Sequence, residues 1–429
     1  MRVRKAMRTP AACAVVLLAT VLAGCSSSGG ASTGASTGAS GGSSGTSSDP
    51  IKIGVIIPEG GPVSSFPDSL AAVQAAFSTF NAEGGIDGRK LEVDWCNDQN
   101  DPNKEVACAQ QMVSEHVVAT LTSSAIVAGS EVSTILEKAG IANVEWLSLA
   151  PEEFSATNTF PYYAASIGMA LGSVDVAHLS GATKVVFAKP NDGELPDVVP
   201  MIDKLGTQVG ISGTTVLIPQ AGAADYTPYA KQIIDTGAGV VTLGQGKELA
   251  FPLIKAIRQL GGTEKIVLVG GIASESGLQS LGSLAGDIYV TNPTPWVDDE
   301  AQFPGVKTFA AAMEKAQAAG NPNANLKNAS LITGADWAAA NALYSELKDL
   351  AKEGKSITTA NFLAGFSTAK DLSTGGMGGP WSPSVKVLVP SGYPNLSNTT
   401  YYLLKYQSST GEVTLVSSTP VNIQTYLGS

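Results

Sequence analysis

Short apolar runs alternate with amphipathic runs along most of the chain, and residues 51–80 show the pattern most clearly. Residues 51–57 are apolar apart from Lys52 and are rich in β-branched side chains, which predicts a buried strand. Two prolines and two glycines follow within residues 58–62, so the strand ends in a turn. Apolar side chains then recur at helical spacing up to residue 80. A strand, a turn and a helix start predict a small-ligand site beyond the carboxyl end of the strand.

The same alternation continues as far as residue 291, and glycines stop many of the helical runs. Strands that alternate with helices predict an α/β protein with parallel sheets, and the number of strands favours two sheets over one. After residue 300 come two alanine-rich helices and then a turn-rich tail with further strands. The predicted strands are residues 90–96, 117–122, 142–148, 184–188, 213–218, 240–244, 265–269, 286–291, 385–389, 401–407 and 413–416. The predicted helices are residues 103–115, 127–139, 173–179, 195–209, 226–235, 248–260, 274–281, 303–319 and 331–352.

The N-terminus has the pattern of a targeting segment. Four of the first eight residues are basic, and residues 11–22 form an apolar stretch too short for a comfortable membrane span. Residues 22–25, Leu-Ala-Gly-Cys, resemble the lipobox of bacterial lipoproteins, which implies cleavage after residue 24 and a lipid on Cys25. An ordinary secretory signal with an incidental cysteine is the alternative. Residues 26–48 contain only Ser, Gly, Thr and Ala, so we expect residues 25–48 to be a lipid-anchored flexible tether.

Charge and cysteine content narrow the function further. The formal net charge of −11 argues against nucleic acid as a partner, because phosphate binding requires clustered Lys and Arg. Cys13 leaves with the signal and Cys25 is assigned to the lipid, so Cys96 and Cys108 remain as a pair. An oxidising compartment predicts a disulfide between them.

Little in the chain suggests catalysis. His116 and His178 lie on apolar runs, where structural roles are expected, and the usual nucleophile, zinc and phosphate-loop motifs are missing from the sequence. Asp98, Asp101 and Glu105 offer calcium as an alternative, but they lack the oxygen spacing of a calcium loop. We therefore expect a binding protein without a cofactor or metal, and not an enzyme.

Ser123 and Ser124 lie in the same kind of turn as the one after the first strand, because they follow a predicted strand and precede a predicted helix. Their hydroxyls and the N–H groups after them could hold a carboxylate or another polar head group. Plain capping of the helix is the alternative, and the sequence favours neither.

Several motifs together resemble the extracytoplasmic solute-binding proteins of branched-chain amino-acid ABC importers. The resemblance covers nearly all of residues 51–429 and is most specific at residues 81–93. It rests on Ile-Lys-Ile-Gly-Val at 51–55, Gly-Pro at 61–62, Asn-Ala-Glu-Gly-Gly-Ile-Asp-Gly-Arg-Lys-Leu-Glu-Val at 81–93, Asn-Asp-Pro at 100–102, Thr-Ser-Ser at 122–124, Asp-Tyr-Thr-Pro at 225–228 and Gly-Gly-Pro at 378–380.

The resemblance implies a two-lobed type I periplasmic-binding-protein fold, in which each lobe is a mainly parallel sheet flanked by helices. Residues 51–167 with 293–377 would form the first lobe, and residues 168–292 with 378–429 the second. Three crossovers, near residues 166–169, 290–293 and 377–381, would form the hinge. The ligand would lie in the cleft, and closure over it would signal to the permease.

The resemblance also places residues in the cleft. Phe66 would cover the ligand side chain, Ser123 and Ser124 would hold its carboxylate, and one strand end would contact its head group. In the second lobe, two positions depart from the family's aromatic residues. The remaining candidates are Leu147, Ser148 and Leu149 at the strand end, and Asp192, Gln245 and Gly246 at the departing positions.

A further departure concerns the acid that pairs with an amino-acid ammonium. Residues 270–273 read Gly-Gly-Ile-Ala where the family has that acid, so Ile272 marks the position and Glu275 is the nearest carboxylate. An ammonium buried without a carboxylate would be costly. Either Glu275 or Asp192 takes that role, or the ligand is an amide or organic acid.

The resemblance thus implies a monomeric receptor on the outer face of the cell membrane, held there only by lipidated Cys25. It would deliver a branched-chain amino acid or a related compound to ABC permease subunits with a cytoplasmic ATPase. A ligand sensor that acts on a signalling partner is the alternative function.

Overall fold

The computed structural model describes residues 49–427 except 62–63, 124, 126, 150, 192–194, 220–221, 245, 300, 388–392 and 399. The described residues all belong to one compact unit, which lies within residues 46–429. Cys25 with its expected signal and tether, and the candidates Ser124, Asp192 and Gln245, lie outside the described residues.

The first lobe is built on a five-stranded parallel sheet with strand order β2-β1-β3-β4-β5. Most of its strand residues are buried, which suits apolar β-branched side chains packed on both faces. Helices α1 to α3 connect the strands, and Asp101 caps α2 by accepting hydrogen bonds from the N–H groups of Asn103 and Lys104. The elements are β1 (Ile51–Ile56), α1 (Pro67–Ala82), β2 (Leu91–Cys96), α2 (Pro102–Ser114), β3 (Ala119–Thr122), α3 (Gly129–Lys138), β4 (Ala142–Glu145) and β5 (Thr159–Pro161).

The second lobe is built on an eight-stranded mixed sheet. Seven of its strands lie in the order β12-β11-β10-β9-β8-β6-β7. The eighth strand, β13, pairs with β11, and all pairings of β11 are antiparallel. Five helices belong to this lobe before the chain returns. The elements are α4 (Ala165–Ser180), β6 (Lys184–Pro190), α5 (Val199–Gly206), β7 (Ser212–Ile218), α6 (Thr227–Asp235), β8 (Val240–Leu243), α7 (Lys247–Gln259), β9 (Lys265–Val269), α8 (Glu275–Gln279) and β10 (Ile288–Asn292).

The chain then returns to the first lobe and finally re-enters the second. Helices α9 (Pro304–Ala318) and α10 (Thr333–Lys352) pack on α1, and α11 (Thr359–Thr368) packs on α10, β3 and β4. The last elements are β11 (Thr400–Gln407), β12 (Glu412–Leu415), β13 (Val421–Asn422) and α12 (Gln424–Leu427). The expected α/β class and its two-sheet architecture are confirmed.

Some elements differ from their predicted bounds. Helix α4 is twice as long as predicted, because residues 165–177 are buried on every side and show no amphipathic period. The described residues 385–387 of the predicted strand 385–389 are not in a strand, and α11 was not predicted.

The crossovers also lie elsewhere than expected. Residues 166–169 are inside α4, so the chain leaves the first sheet before Ala165. The third crossing follows residue 398, not residues 377–381, because Asn395 N donates to Phe154 O (3.0 Å) and Asn398 Nδ2 donates to Tyr162 O (3.0 Å), which keeps Asn395 and Asn398 against the first lobe.

A disulfide joins Cys96, at the end of β2, to Cys108 in α2, with a Cα–Cα distance of 5.5 Å. Among the described residues, no group of His, Cys, Asp and Glu side chains has the arrangement of a metal site. None of the described helices is long and apolar enough to cross a membrane.

Candidate functional site

The two lobes meet in an apolar contact at the carboxyl ends of their strands. A Cβ atom placed on Gly271, two residues after β9, would lie 3.6 Å from Phe66 Cε1 and 3.9 Å from Leu147 Cδ2. Phe66 precedes α1 and Leu147 follows β4, so three strand ends from two lobes converge. Phe66, Leu147 and the neighbouring Ile272 each expose 8% or less of their surface. The structure therefore brings these three predicted residues to one cleft, in a closed arrangement.

Trp146 adds a polar group to this apolar wall. Its ring packs edge-on against Phe66, with 5.5 Å between centroids and 87° between planes. The side chain is fully buried, and its Nε1–H has no hydrogen-bond partner. A buried N–H group without an acceptor is rare and costly. The cleft wall therefore carries one uncharged donor that the described protein leaves unused.

The serine after β3 lies at the same end of the sheet. Ser123 is 6% exposed and its N–H donates to Ile56 O (3.4 Å), which ties the loop to β1. Its hydroxyl makes no hydrogen bond with another described residue. The ligand role of Ser123 stays a prediction.

Ser148 and Leu149 are engaged within the protein. Ser148 is fully buried, its Oγ donates to Glu145 Oε2 (2.6 Å) and its N–H donates to Tyr163 O (2.8 Å). Leu149 N donates to Glu153 Oε2 (2.9 Å). The structure thus shows both polar groups of Ser148 directed to neighbouring residues, and not presented to a ligand head group.

Two buried carboxylates hold the loop that precedes α3. Ala125 N donates to Glu153 Oε1 (2.7 Å), Ala128 N donates to Glu105 Oε2 (2.6 Å), and Val127 N donates to Glu105 Oε1 (3.4 Å). Glu105 and Glu153 are both inaccessible to solvent. These amides are among the N–H groups that the sequence offered either to a polar ligand head group or to plain capping of the helix, and the protein supplies its own carboxylates to them.

Burial and like charge perturb these acids. The pKa of Glu105 is raised to about 7, first by burial and next by the charge of Asp98. The pKa of Glu145 is raised well above its ordinary value, again by burial and then by the charge of Glu153. Sequence analysis placed Glu105 in an acidic loop and did not single out Glu145 or Glu153, because a carboxylate that becomes buried by tertiary packing resembles a surface one in the sequence.

Glu275 is already engaged by a neighbouring side chain. Its Oε1 accepts a hydrogen bond from Trp296 Nε1 (2.9 Å), in the segment that leads back to the first lobe. Burial and then the neighbouring Asp298 raise the pKa of Glu275 to about 7. Glu275 therefore belongs to a buried network at the crossover. It is a poor candidate for the missing acid.

The last candidate, Gly246, occupies the N-cap position of α7, and its carbonyl accepts from Leu249 N and Ala250 N.

A second contact between the lobes lies near α8, where Leu331 N donates to Ala273 O and Ser276 N donates to Lys327 O, both at 2.9 Å.

Gly271 and Trp146 were not predicted as site residues. Their only sequence signal is that they adjoin Ile272 and Leu147.

Comparison with known proteins agrees with this architecture. The sequence model of a family described as periplasmic binding protein matches residues 50–384. The Leu/Ile/Val-binding protein of Escherichia coli K12 is 32% identical over 109 residues, which are 24% of this chain and 29% of that protein. An amino acid binding protein of Pseudomonas aeruginosa PAO1 is 27% identical over 239 residues, 52% of this chain and 62% of that protein. The chain thus aligns with less than a third of the length of the Escherichia coli protein.

Solved structures share the whole fold at low sequence identity. A fatty acid ABC transporter substrate-binding protein from Thermomonospora curvata has a TM-score of 0.70 at 17% identity, over 88% of this chain and 94% of that chain. A leucine binding protein from Thermotoga maritima MSB8 has a TM-score of 0.68 at 14% identity, over 87% and 99% of the two chains. The two-lobed fold and the resemblance to branched-chain amino-acid-type binding proteins are confirmed, and the chain belongs to the periplasmic binding protein family.

Proposed function

We infer that this protein is the extracytoplasmic receptor of an ABC importer, which captures a small ligand between its lobes and presents the closed form to the permease. The observation that carries this function is the approach of Gly271 to Phe66 and Leu147, where an added Cβ atom would lie within 4 Å of both side chains, because it brings strand ends of both lobes together at the place where a ligand would lie. A ligand that contacts both walls binds the closed form better than the open form, and so shifts the hinge toward closure.

The hinge consists of three segments in this proposal. They are the residues between β5 and α4, the residues directly after β10, and the start of β11. Opening would break the hydrogen bonds of Leu331 and Ser276 across the lobes. Closure would restore them, so the ligand and these bonds act in the same direction.

The relatives are named for different classes of ligand, and the proposal leaves the choice between these classes open. The Escherichia coli relative is named for Leu, Ile and Val, and the Thermomonospora curvata neighbour for fatty acids. Both groups carry an apolar body, and the wall formed by Phe66, Leu147 and Ile272 suits such a body.

A thermal-shift screen tests the receptor function directly. The protein without residues 1–48 is heated with amino acids, amides, fatty acids and aromatic acids, and at least one class should raise its Tm, since a ligand that binds only the folded state stabilises it. Small-angle X-ray scattering with that ligand should show a smaller radius of gyration. A broad panel without any shift would refute the receptor function.

Membrane attachment through Cys25 is a separate part of the proposal. Expression in a host with lipoprotein processing should yield a mature chain that begins at Cys25 and carries the mass of a lipid. The Cys25→Ala variant should move to the soluble fraction. A wild-type chain of unlipidated mass would contradict the anchor while leaving ligand binding untouched.

A further inference from the structure

The loop before α3 is arranged against a ligand carboxylate, which bears on the class of ligand that the proposed receptor takes. A helix N-terminus with free amides favours anions. Here the amides of Ala125, Val127 and Ala128 already donate to Glu105 and Glu153. An incoming carboxylate at this loop would have to displace these acceptors and would meet like charge.

The opposite wall lacks the partner for an ammonium. Residues 270–273 carry no acid, and a Cβ atom added to Gly271 would face Phe66 and Leu147. The nearest carboxylate, Glu275, accepts from Trp296 Nε1 in the crossover network. A zwitterionic α-amino acid therefore finds neither of its two ionic partners among the described residues of this cleft.

Among the described residues, the buried donor that remains open at this wall is uncharged. Trp146 Nε1–H lies beside Phe66 without an acceptor. An indole N–H donates but does not accept, so it is matched by a carbonyl oxygen. An apolar wall with an uncharged donor fits a molecule with an apolar body and an uncharged carbonyl, such as a carboxamide.

We propose that Glu105 and Glu153 set the specificity of the receptor by occupying the loop amides, so that the cleft takes an uncharged amphipathic carbonyl compound and rejects carboxylates. Trp146 donates to the carbonyl oxygen of this ligand. Both glutamates act through the loop, so they are positioning residues. This inference rests on the proposed receptor function.

The test compares compounds that share an apolar body and differ in their head group. With an isobutyl body the probes are isocaproamide, isocaproate, isoamylamine and leucine; with a phenyl body they are hydrocinnamamide, hydrocinnamate, phenethylamine and phenylalanine. Calorimetric titration of the protein without residues 1–48 should show the amide of at least one body binding at least about tenfold more tightly than its charged analogues, which corresponds to about 1.4 kcal/mol.

Variants separate specificity from mere support of the loop. Glu153→Gln and Glu105→Gln remove charge and keep an acceptor oxygen, so each should raise the affinity ratio of carboxylate to amide about tenfold. Glu137→Gln, an exposed carboxylate whose partner is Thr157, is the matched control and should leave the ratio unchanged. Trp146→Phe keeps the ring and should weaken amide binding about threefold to tenfold, the usual range for one hydrogen bond.

The outcomes are distinguishable. If, for both bodies, the wild-type protein binds a charged analogue as tightly as the amide, the specificity inference is wrong while the receptor function stands. An unchanged ratio in both glutamate variants would remove their assigned role. If neither these probes nor the broad panel bind, the receptor function itself is refuted.

Discussion

Neutralising Glu105 should flatten the pH dependence of stability. Its carboxyl has a pKa of about 7 in the folded protein against an ordinary value of 4.5. Each tenfold difference in proton affinity is worth about 1.4 kcal/mol, so ionised Glu105 destabilises the folded state by about 3 kcal/mol. The folded state holds the proton more tightly, so this cost is absent below about pH 4.5, grows as the pH rises toward 7 and is complete near pH 8.

Urea unfolding of wild type and Glu105→Gln at several pH values between 4.5 and 8 measures this effect. The wild type should lose about 3 kcal/mol more than the variant across that range, because the other buried acids are common to both proteins and cancel. Glu92→Gln, an exposed position on β2, is the control and should follow the wild type. Parallel stability curves for wild type and Glu105→Gln would show that burial does not shift this carboxyl.

Three further perturbations follow from the geometry. Replacing Cys96 and Cys108 by Ser should lower the free energy of unfolding by about 3 kcal/mol, since the bond closes a loop with a sequence separation of 12; equal urea midpoints for oxidised wild type and variant would contradict this. Gly271→Ala should be tolerated, because its Cβ atom would lie 3.6 Å from Phe66. Gly271→Trp should hold the cleft open. If the radius of gyration of the Gly271→Trp variant still decreases normally when ligand is added, the approach of Gly271 to Phe66 is disproved. Asp101→Ala should cost about 1 kcal/mol through loss of the α2 cap, measured by urea unfolding, and an unchanged midpoint would argue against the cap.

Local patterns predicted the regular elements well where one physical cause dominated. Residues 265–269 are four apolar side chains after a lysine, between turn residues, and β9 has those bounds. The helix predicted at residues 103–115 is α2, which begins at Pro102 with Asp101 as its cap. The first half of α4 was missed, because burial on all sides removes the polar face that reveals a helix in a sequence.

The sequence by itself determined the alternation of strands and helices, because that depends on local periodicity. Its motifs indicated the family, and the resemblance predicted cleft positions for Phe66 and Leu147. Tertiary structure alone decided which carboxylates are buried and what they bind. Glu105 and Glu153 come from different segments and meet at one loop, where their oxygens take the amides of residues 125, 127 and 128. Long-range packing determines which charged groups and hydrogen-bonding groups line a cleft. The head group that a ligand needs therefore follows from the folded structure and not from the local sequence.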